Sequence, residues 1–428
     1  MVDYVRTPFS RARPRKPERD AFGDIPAVRL VATTLNNMMD ERLKGKVTRD
    51  EVDQFIMGNA FQLGDNITFS GKLALWEAKF PHETPAFLVE RQCGSGMTAM
   101  HQAFMNIKLG YEDTTICSAF EHQTREPMHN NKHLLPDIAA AMPMSQWYNS
   151  DLDFMGSLNM LVTAQKLYEM NIDHFTKEDM DKYGVRSHNL AEEALNKGFF
   201  KDEVVPILGH VEGDLNKDFL VESDLSIRKG ANLEDFAKLR AVSTPGWAGG
   251  YENPVLDKET YIEKNGGNPF GVITPGNASP LNVGAATTML MSKEKMEEKG
   301  LKPMARIVEI GWAAVDPSIM GLGPVPATNK ALEKAGLTVD DIDYWEINEA
   351  FCIVALNAIK DLGIKDHDKK VNIHGGATAI GHPLSATGIR MPGSLARILK
   401  EKKAKYGLAN MCCGGGHGTA IIIENMEV

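Results

Sequence analysis

The stretch Glu90-Arg91-Gln92-Cys93-Gly94-Ser95-Gly96-Met97 decides the fold prediction, because two different periodicities meet in it. An apolar run over residues 86–89 precedes it and is typical of a short buried strand. From Met97 to Ile107, apolar residues recur at steps of three and four, which is one face of a helix. Cys93 is therefore predicted to lie where a strand turns into a helix. The two glycines after it allow a tight bend and leave the approach to the sulfur open.

This position gives Cys93 two interpretations. Free N–H groups and the dipole at a helix start stabilise a thiolate, and a pKa lowered from near 8.5 to about 6 would make the residue a nucleophile. The alternative is a buried, unreactive cysteine that packs like a small apolar side chain. The rest of the chain has to decide between them.

Composition limits the class of protein. A chain of 428 residues predicts about two or three domains. Its 43% hydrophobic and 24% charged residues are those of an ordinary soluble globular protein. The net charge of −10 argues against nucleic-acid binding, and no apolar run of about 18 residues predicts a membrane span. The five cysteines show neither a disulfide framework nor a zinc-site spacing, so we expect a reducing, cytoplasmic location and no metal.

A basic cluster near the N-terminus is the local exception to this acidic balance. Two interpretations are a targeting segment and a solvated arm. Acidic residues interrupt the cluster and it has no apolar helical face, so the solvated arm is favoured. Its members are Arg6, Arg11, Arg13, Arg15, Lys16 and Arg19.

Strands that alternate with helices predict α/β architecture with a parallel sheet. Residues 1–125 read as an N-terminal α/β half that is completed by about 282–303. Residues 126–281 lose the regular alternation and read as an inserted loop lobe. Residues 304–428 read as a C-terminal α/β half. Each half carries a Cys–Gly turn, which suggests that the halves are related.

Four short blocks carry the residue types that a reaction centre needs. Alone, each is typical of a turn, a helix start or a flexible loop. Together they supply a nucleophile, a base, a second thiol and oxyanion donors, the set needed to make or break a carbon–carbon bond next to a thioester. The blocks are Cys93-Gly94-Ser95-Gly96, Asn348-Glu349-Ala350-Phe351, Gly381-His382-Pro383 and Cys412-Cys413-Gly414-Gly415-Gly416.

These blocks resemble those of the thiolase family in residue identity, order and spacing, nearly from one end of the chain to the other. Two further blocks carry the same resemblance, Arg6-Thr7-Pro8-Phe9 and Gly276-Asn277-Ala278-Ser279. The resemblance implies two related α/β halves in a layered αβαβα core with an inserted lobe. It also implies an acyltransferase of fatty acid metabolism. The reaction would be CoA-dependent cleavage of a 3-ketoacyl-CoA to acetyl-CoA and acyl-CoA, or condensation of acetyl-CoA to acetoacetyl-CoA, through an acyl-cysteine.

The resemblance assigns a role to each reactive residue. Cys93 is the nucleophile, and His382 takes its proton. Cys412 removes or returns the α-proton of the acetyl group. Asn348, through a water, and His382 donate to the thioester enolate, while the backbone N–H groups of Cys93 and Gly414 form a second oxyanion hole.

The resemblance also implies where coenzyme A binds, as a substrate and not as a permanent cofactor. The inserted lobe would supply Arg228 at the nucleotide end and Ser279 at the pantetheine arm. Met155 and Phe351 would line the pantetheine tunnel. A surface salt bridge is the alternative for Arg228, and core packing is the alternative for the other three. A homodimer or homotetramer is expected by the same resemblance.

Two departures and two rivals remain. The usual Gly-Gly pair is missing before Glu121, so acyl chain length cannot be carried over, and residues 241–273 are longer and differently composed than is usual in the family. The adjacent Cys413 competes with Cys412, and the family frame favours Cys412. His122, His374 and His417 are extra imidazoles with expected structural roles. A ketoacyl synthase lacks a second catalytic cysteine, and a catalytically inactive thiolase-like subunit that binds acyl-CoA or a partner enzyme would be expected to lose these groups.

Overall fold

The computed structural model describes residues 1–128, 153–249 and 254–428. The strands are Asp3–Arg6 (β1), Ser10–Arg11 (β2), Gln54–Gly58 (β3), Ala86–Val89 (β4), Thr114–His122 (β5), Ile207–Val211 (β6), Asp214–Val221 (β7), Asn282–Met291 (β8), Arg306–Ala314 (β9), Tyr344–Ile347 (β10), Tyr406–Cys413 (β11) and His417–Glu424 (β12).

The helices are Ala27–Asn36 (α1), Lys72–Glu77 (α2), Ser95–Lys108 (α3), Phe154–Leu158 (α4), Met160–Met170 (α5), Lys177–Asn196 (α6), Leu233–Ala237 (α7), Lys258–Lys264 (α8), Lys293–Glu298 (α9), Pro324–Ala335 (α10), Cys352–Leu362 (α11), His367–Lys370 (α12), Ala377–Ile380 (α13) and Leu384–Lys402 (α14).

The first sheet has the strand order β1-β8-β5-β3-β4, and β2 also pairs with β8. Strand β3 runs parallel to β4 and β5, but β8 runs antiparallel to both β5 and β1. The expected parallel sheet is therefore wrong, and the sheet is mixed. The reason lies in the long insertion. The chain leaves the sheet after His122 and re-enters at Asn282, and His122 pairs with Val283, so the returning strand must run the opposite way.

The second sheet has the order β10-β11-β12-β9, with β10 and β11 parallel and the other pairs antiparallel. Strands β11 and β12 form a hairpin in which Cys413 pairs with His417. Gly415 and Gly416 make its turn with φ values of +78° and +81°, a backbone conformation that favours glycine. The second Cys–Gly block is thus the tip of a hairpin.

Two helices, α3 and α14, lie between the sheets and pack against each other. Helix α1 covers the outer face of the first sheet, and α10 covers the outer face of the second. The result is the layered αβαβα core that the resemblance implied. Helix α14 is buried along most of its length, as expected for a helix enclosed by two sheets.

The segment between β5 and β8 holds, in its described part, helices α4 to α8 and the hairpin of β6 and β7. The division at residues 125, 281 and 303 stays a prediction. None of the helices described has both the length and the apolar character needed to cross a membrane.

The N-terminal basic cluster does not behave as a solvated arm throughout. Arg6 is fully buried and forms ion pairs with Glu203 at 2.8 Å and Asp224 at 2.7 Å. Removing one partner of such a buried pair typically costs about 3–5 kcal/mol. Arg11 and Arg13 are half-buried, whereas Arg15, Lys16 and Arg19 are exposed. The arm prediction is wrong for Arg6, because the first strand is bonded to the segment that follows β5.

The contact between α3 and α14 generates the first prediction. A Cβ atom on Gly96 would lie 2.2 Å from the carbonyl oxygen of Ser385, so the helices cannot accept a methyl group there without moving. Gly96→Ala should therefore destabilise the protein by about 1–3 kcal/mol, despite the better helix propensity of alanine. Calorimetry should show a lower melting temperature. Lys108→Ala, at the exposed end of the same helix, is the control and should leave the melting temperature unchanged. Equal melting temperatures would contradict the contact.

Candidate active site

A cavity of about 1270 Å³ brings together residues from both halves and from the inserted segment. Most of the predicted site residues that are described lie in its wall. They are Cys93, His382, Cys412, Gly414, Ser279 and Phe351. The volume exceeds that of a site for a compact small molecule and suits an extended ligand.

Cys93 lies in a short 3₁₀ turn, Gln92–Gly94, that joins β4 to α3. Gln92 has a φ of +47°, which marks the sharp change of direction at the turn. A Cβ on Gly94 would lie 2.5 Å from the sulfur of Cys413. Gly94 and Gly96 are thus required by the close packing of the two halves. This packing is a second reason for glycine at both positions, beside the bend and the open approach to the sulfur expected from the sequence.

The resting state of Cys93 also differs from the expected thiolate. The side chain is half-buried, and burial raises its pKa well above the ordinary value, with the nearby Cys412 adding to the effect. The backbone N–H of Gly414 hydrogen-bonds the sulfur and acts in the opposite direction. Burial therefore outweighs the helix start, and Cys93 is a neutral thiol that needs a base.

His382 is placed as that base. It is buried, its backbone N–H donates to Asn282 Oδ1 at 2.7 Å, and its Nδ1 lies 2.8 Å from Thr387 Oγ1. Its Nε2 lies 3.4 Å from Asn348 Nδ2. Burial, and secondarily the charge of Arg390, lower the pKa of His382 to about 3. The imidazole is therefore neutral at physiological pH and free to accept a proton.

Asn348 is buried behind His382 and does not itself line the cavity. Its backbone N–H donates to Asn410 at 3.0 Å, and its Oδ1 has no hydrogen-bond partner in the described part of the chain. The neighbouring Glu349 carboxyl fixes this turn by accepting hydrogen bonds from Ser187 Oγ at 2.7 Å and Asn372 Nδ2 at 2.8 Å. The amide of Asn348 is thus held in a set position relative to the imidazole.

The two adjacent cysteines point to different places, because successive residues of a strand face opposite sides. Cys412 lines the cavity. Cys413 lies in the core between the sheets, with its sulfur 4.0 Å from Thr419 Oγ1 and against Gly94. Burial raises the pKa of both thiols, that of Cys413 to about 12. This geometry favours Cys412 for any role in the cavity.

The predicted CoA residues are divided. Ser279 and Phe351 line the cavity, and Ser279 Oγ donates to the carbonyl of Ala350 at 3.0 Å. Arg228 is not in the wall, but its guanidinium donates to the carbonyl of Pro275 at 3.1 Å, and Pro275 is in the wall. The side chain of Met155 lies outside the described residues.

Sequence reasoning missed other residues of the wall. Met160, in the first turn of α5, lines the cavity. His417, for which a structural role was expected, also lies in the wall, at the hairpin tip. The cap before α5, where Asn159 Oδ1 accepts from Leu161 N at 3.1 Å, marks the start of the helix but not the position of Met160 in the wall. Arg11 and Arg13 also line the cavity.

The other two extra imidazoles have structural contacts. His122 Nε2 lies 3.1 Å from the Phe22 carbonyl oxygen, and His374 Nε2 lies 2.8 Å from Glu401.

Glu121 is buried beneath the cavity and accepts from Asn59 Nδ2 at 2.6 Å and Ser385 Oγ at 3.1 Å. Burial raises the pKa of Glu121 to about 8. It joins the end of β5 to the start of α14.

The presence of a neutral thiol and a neutral imidazole in one cavity predicts how Cys93 responds to pH. Alkylation requires the thiolate, and the pKa of Cys93 is raised. Labelling of Cys93 by iodoacetamide should be slow at pH 7 and should rise by about tenfold per pH unit into the alkaline range. No step should appear near pH 6.5, since His382 does not titrate there. Peptide mass spectrometry measures the rate at Cys93, with Cys93→Ala as the control for labelling elsewhere. A plateau between pH 6 and 7 would indicate a thiolate–imidazolium pair instead.

Comparison with known proteins identifies relatives along the whole chain. The family pattern "Thiolase, N-terminal domain" matches residues 1–247, and "Thiolase, C-terminal domain" matches residues 301–425. The 3-ketoacyl-CoA thiolase of Chromohalobacter salexigens is 36% identical over 429 residues, which cover 100% of this chain and 98% of the relative. The acetyl-CoA acetyltransferase of Syntrophomonas wolfei is 37% identical, covering 90% of this chain and 91% of the relative.

A solved structure agrees with these sequence matches. The crystal structure of the Bacillus anthracis acetyl-CoA acetyltransferase superposes with a TM-score of 0.78 at 32% identity. The match covers 99% of this chain and 98% of that one.

Proposed function

The chain belongs to the thiolase family of acyltransferases, and from that premise we propose which of its residues carry the reversible, CoA-dependent cleavage of a 3-ketoacyl-CoA. One observation supports the proposal above the others: Cys93, His382 and Cys412 line one cavity, with the Gly414 N–H on the Cys93 sulfur. The products are acetyl-CoA and an acyl-CoA shortened by two carbons, and the reverse reaction condenses two acetyl-CoA to acetoacetyl-CoA.

The first half-reaction forms the acyl-enzyme. His382 takes the proton of Cys93 as the sulfur attacks the keto carbon, and the bond between that carbon and the α-carbon breaks. The electron pair moves into the thioester as an enolate. Cys412 gives its proton to the α-carbon, and acetyl-CoA leaves. The acyl group remains on Cys93.

The second half-reaction returns both protons. The thiol of free CoA gives its proton to the Cys412 thiolate and attacks the acyl carbon. Cys93 leaves as a thiol by taking the proton back from His382. Exchange through a covalent intermediate of this kind predicts ping-pong kinetics.

Two oxygen atoms gain negative charge in these steps. We assign the backbone N–H groups of Gly414 and Cys93 to the acyl oxygen, because the Gly414 N–H already points at the sulfur. We assign the enolate oxygen to His382 and to the amide of Asn348, through a water. Losing one such donor typically costs about 3–4 kcal/mol of transition-state stabilisation.

Coenzyme A is proposed as a substrate, with no cofactor held permanently. Ser279, Phe351 and Met160 would flank the pantetheine arm, and Arg228 would lie toward the nucleotide. Met155 stays a prediction from the resemblance. The five cysteines of the chain are free thiols. Free thiols fit a cytoplasmic location, which we also propose.

We further propose a homodimer through strand β4. It ends the first sheet, and among residues 1–128, 153–249 and 254–428 no strand pairs with its outer side. Phe55 N donates to Pro85 O and Asn59 N donates to Val89 O, so the odd-numbered residues of this segment bond to β3. The backbone groups of Ala86 and Leu88 therefore face outward and are available to a second copy.

The adjacent cysteines provide a matched test of the mechanism. Cys93→Ala and Cys412→Ala should each lower kcat for acetoacetyl-CoA cleavage by about 1000-fold or more, because each removes a reacting sulfur. Cys413→Ala removes a thiol one residue away that does not line the cavity, and it should retain activity within about tenfold. Steady-state thiolysis assays with acetoacetyl-CoA and a longer 3-ketoacyl-CoA measure both effects and the chain-length preference.

Other results would identify the rivals. Loss of activity in Cys413→Ala with retention in Cys412→Ala would reverse the assignment of the second thiol. A folded wild-type protein that cleaves neither substrate would favour the inactive thiolase-like subunit.

The dimer proposal predicts a particle of twice the mass of the chain in light scattering. Leu88→Pro removes one outward-facing N–H while leaving the bonds to β3 intact, and it should shift the particle toward the monomer. Lys108→Ala is the control for a surface change elsewhere. A monomeric wild type, or a dimer that is unaffected by Leu88→Pro, would contradict the role of β4.

A further inference from the structure

The mechanism above assigns no role to the positively charged side chains in one wall of the cavity. Arg11 and Arg13 line the cavity, and the segment that carries them is fixed by its backbone. Arg11 pairs with Asn282 across β2 and β8, Ala12 N donates to Leu281 O at 2.9 Å, and Arg13 N donates to Thr124 Oγ1 at 2.8 Å. These arginines are therefore held at the cavity by the sheet and are not part of a loose arm.

The charges of Arg11 and Arg13 in this wall and of the neighbouring Arg228, outside it, repel one another. Burial lowers the pKa of Arg11, and the neighbouring guanidinium groups of Arg13 and Arg228 lower it further. Burial also lowers the pKa of Arg228. Three cations that share a half-buried site are unfavourable unless an anion joins them.

The described residues supply no such anion. Within residues 1–128, 153–249 and 254–428, none of these three arginines forms an ion pair. The acid that attracts Arg11 is Glu212, and its carboxyl is already paired with Arg19 at 2.5 Å. The Nε of Arg13 is buried and has no hydrogen-bond partner in the same residues. The wall thus has donors and positive charge that are free for a ligand.

We propose that Arg11 and Arg13, together with Arg228, form a phosphate-binding site for the nucleotide end of coenzyme A. The inference rests on the proposed function, which makes CoA the substrate. Guanidinium groups bind phosphate oxygens in pairs, and the phosphates of CoA are its only strongly anionic groups. The reacting thioester is uncharged and makes no use of three cations.

The location of the site fits a ligand that must reach the reacting residues. Asn282 pairs with Arg11 through its backbone, and its Oδ1 accepts the backbone N–H of His382. One residue thus ties the cationic wall to the catalytic base. Phosphates anchored at Arg11 and Arg13 would set how far the pantetheine arm extends into the cavity. The site should therefore contribute to KM and leave the chemical step almost unchanged.

The test compares arginines of the same segment. Arg11→Gln and Arg13→Gln remove a charge from the wall, while Arg15→Gln removes one from an exposed position nearby and is the matched control. Isothermal titration calorimetry with CoA, dephospho-CoA and pantetheine measures binding without turnover. Thiolysis of acetoacetyl-CoA measures KM for CoA and kcat.

We expect each wall variant to weaken CoA binding and raise its KM by about tenfold, with kcat within about twofold and pantetheine binding unchanged. Arg15→Gln should match wild type. If the variants lose the preference for CoA over dephospho-CoA, the bound group is the 3′-phosphate. If they weaken both ligands equally, it is the diphosphate.

The inference is overturned if the Arg11→Gln/Arg13→Gln double variant binds CoA as wild type does, or if Arg15→Gln weakens binding equally. It is also overturned if wild type binds pantetheine as tightly as CoA. A wild type that binds CoA through these arginines but cleaves no 3-ketoacyl-CoA would contradict the proposed function and leave the phosphate site standing.

Discussion

The close contact of α3 with α14 is the constraint on which the rest of the structure depends. Gly96 lies against the carbonyl of Ser385, and Gly94 lies against the sulfur of Cys413. Because no side chain separates the halves at these points, the turn that carries Cys93 from one half meets the segment that carries His382 from the other. A fold in which the two sheets stood further apart would have the same residues and no shared cavity.

Burial then determines the protonation of the site. It raises the pKa of Cys93 and lowers that of His382, so both groups are neutral before substrate arrives. The surrounding polar groups hold this arrangement through hydrogen bonds, with Glu121 below the cavity and Glu349 behind Asn348. Charge appears only when the proton moves from the sulfur to the imidazole. The Gly414 N–H is by then already in place at the sulfur.

Sequence patterns predicted the local features well and the long-range ones poorly. The turn at Cys93 and the strand before it, Ala86–Val89, follow from short-range periodicity, and the family blocks identified the cavity residues. The direction of β8 depends on which end of the sheet the chain reaches after the long insertion. A local stretch of sequence does not contain that information. Cys93 is likewise buried by residues from both halves of the chain. The argument from the helix start alone considered only local residues, and it wrongly predicted a thiolate at Cys93. The burial of Arg6 and the cavity position of Arg13 arise from pairing across the fold.

The most direct test of the account is to trap the acyl-enzyme. Wild-type protein is mixed with acetoacetyl-CoA in the absence of free CoA, quenched in acid, digested and analysed by mass spectrometry. The account predicts an acetyl group on the peptide that contains Cys93 and its disappearance when CoA is added. An acetyl group on Cys412 or Cys413, or none on any cysteine while acetoacetyl-CoA is still consumed, would contradict the claim that Cys93 is the nucleophile.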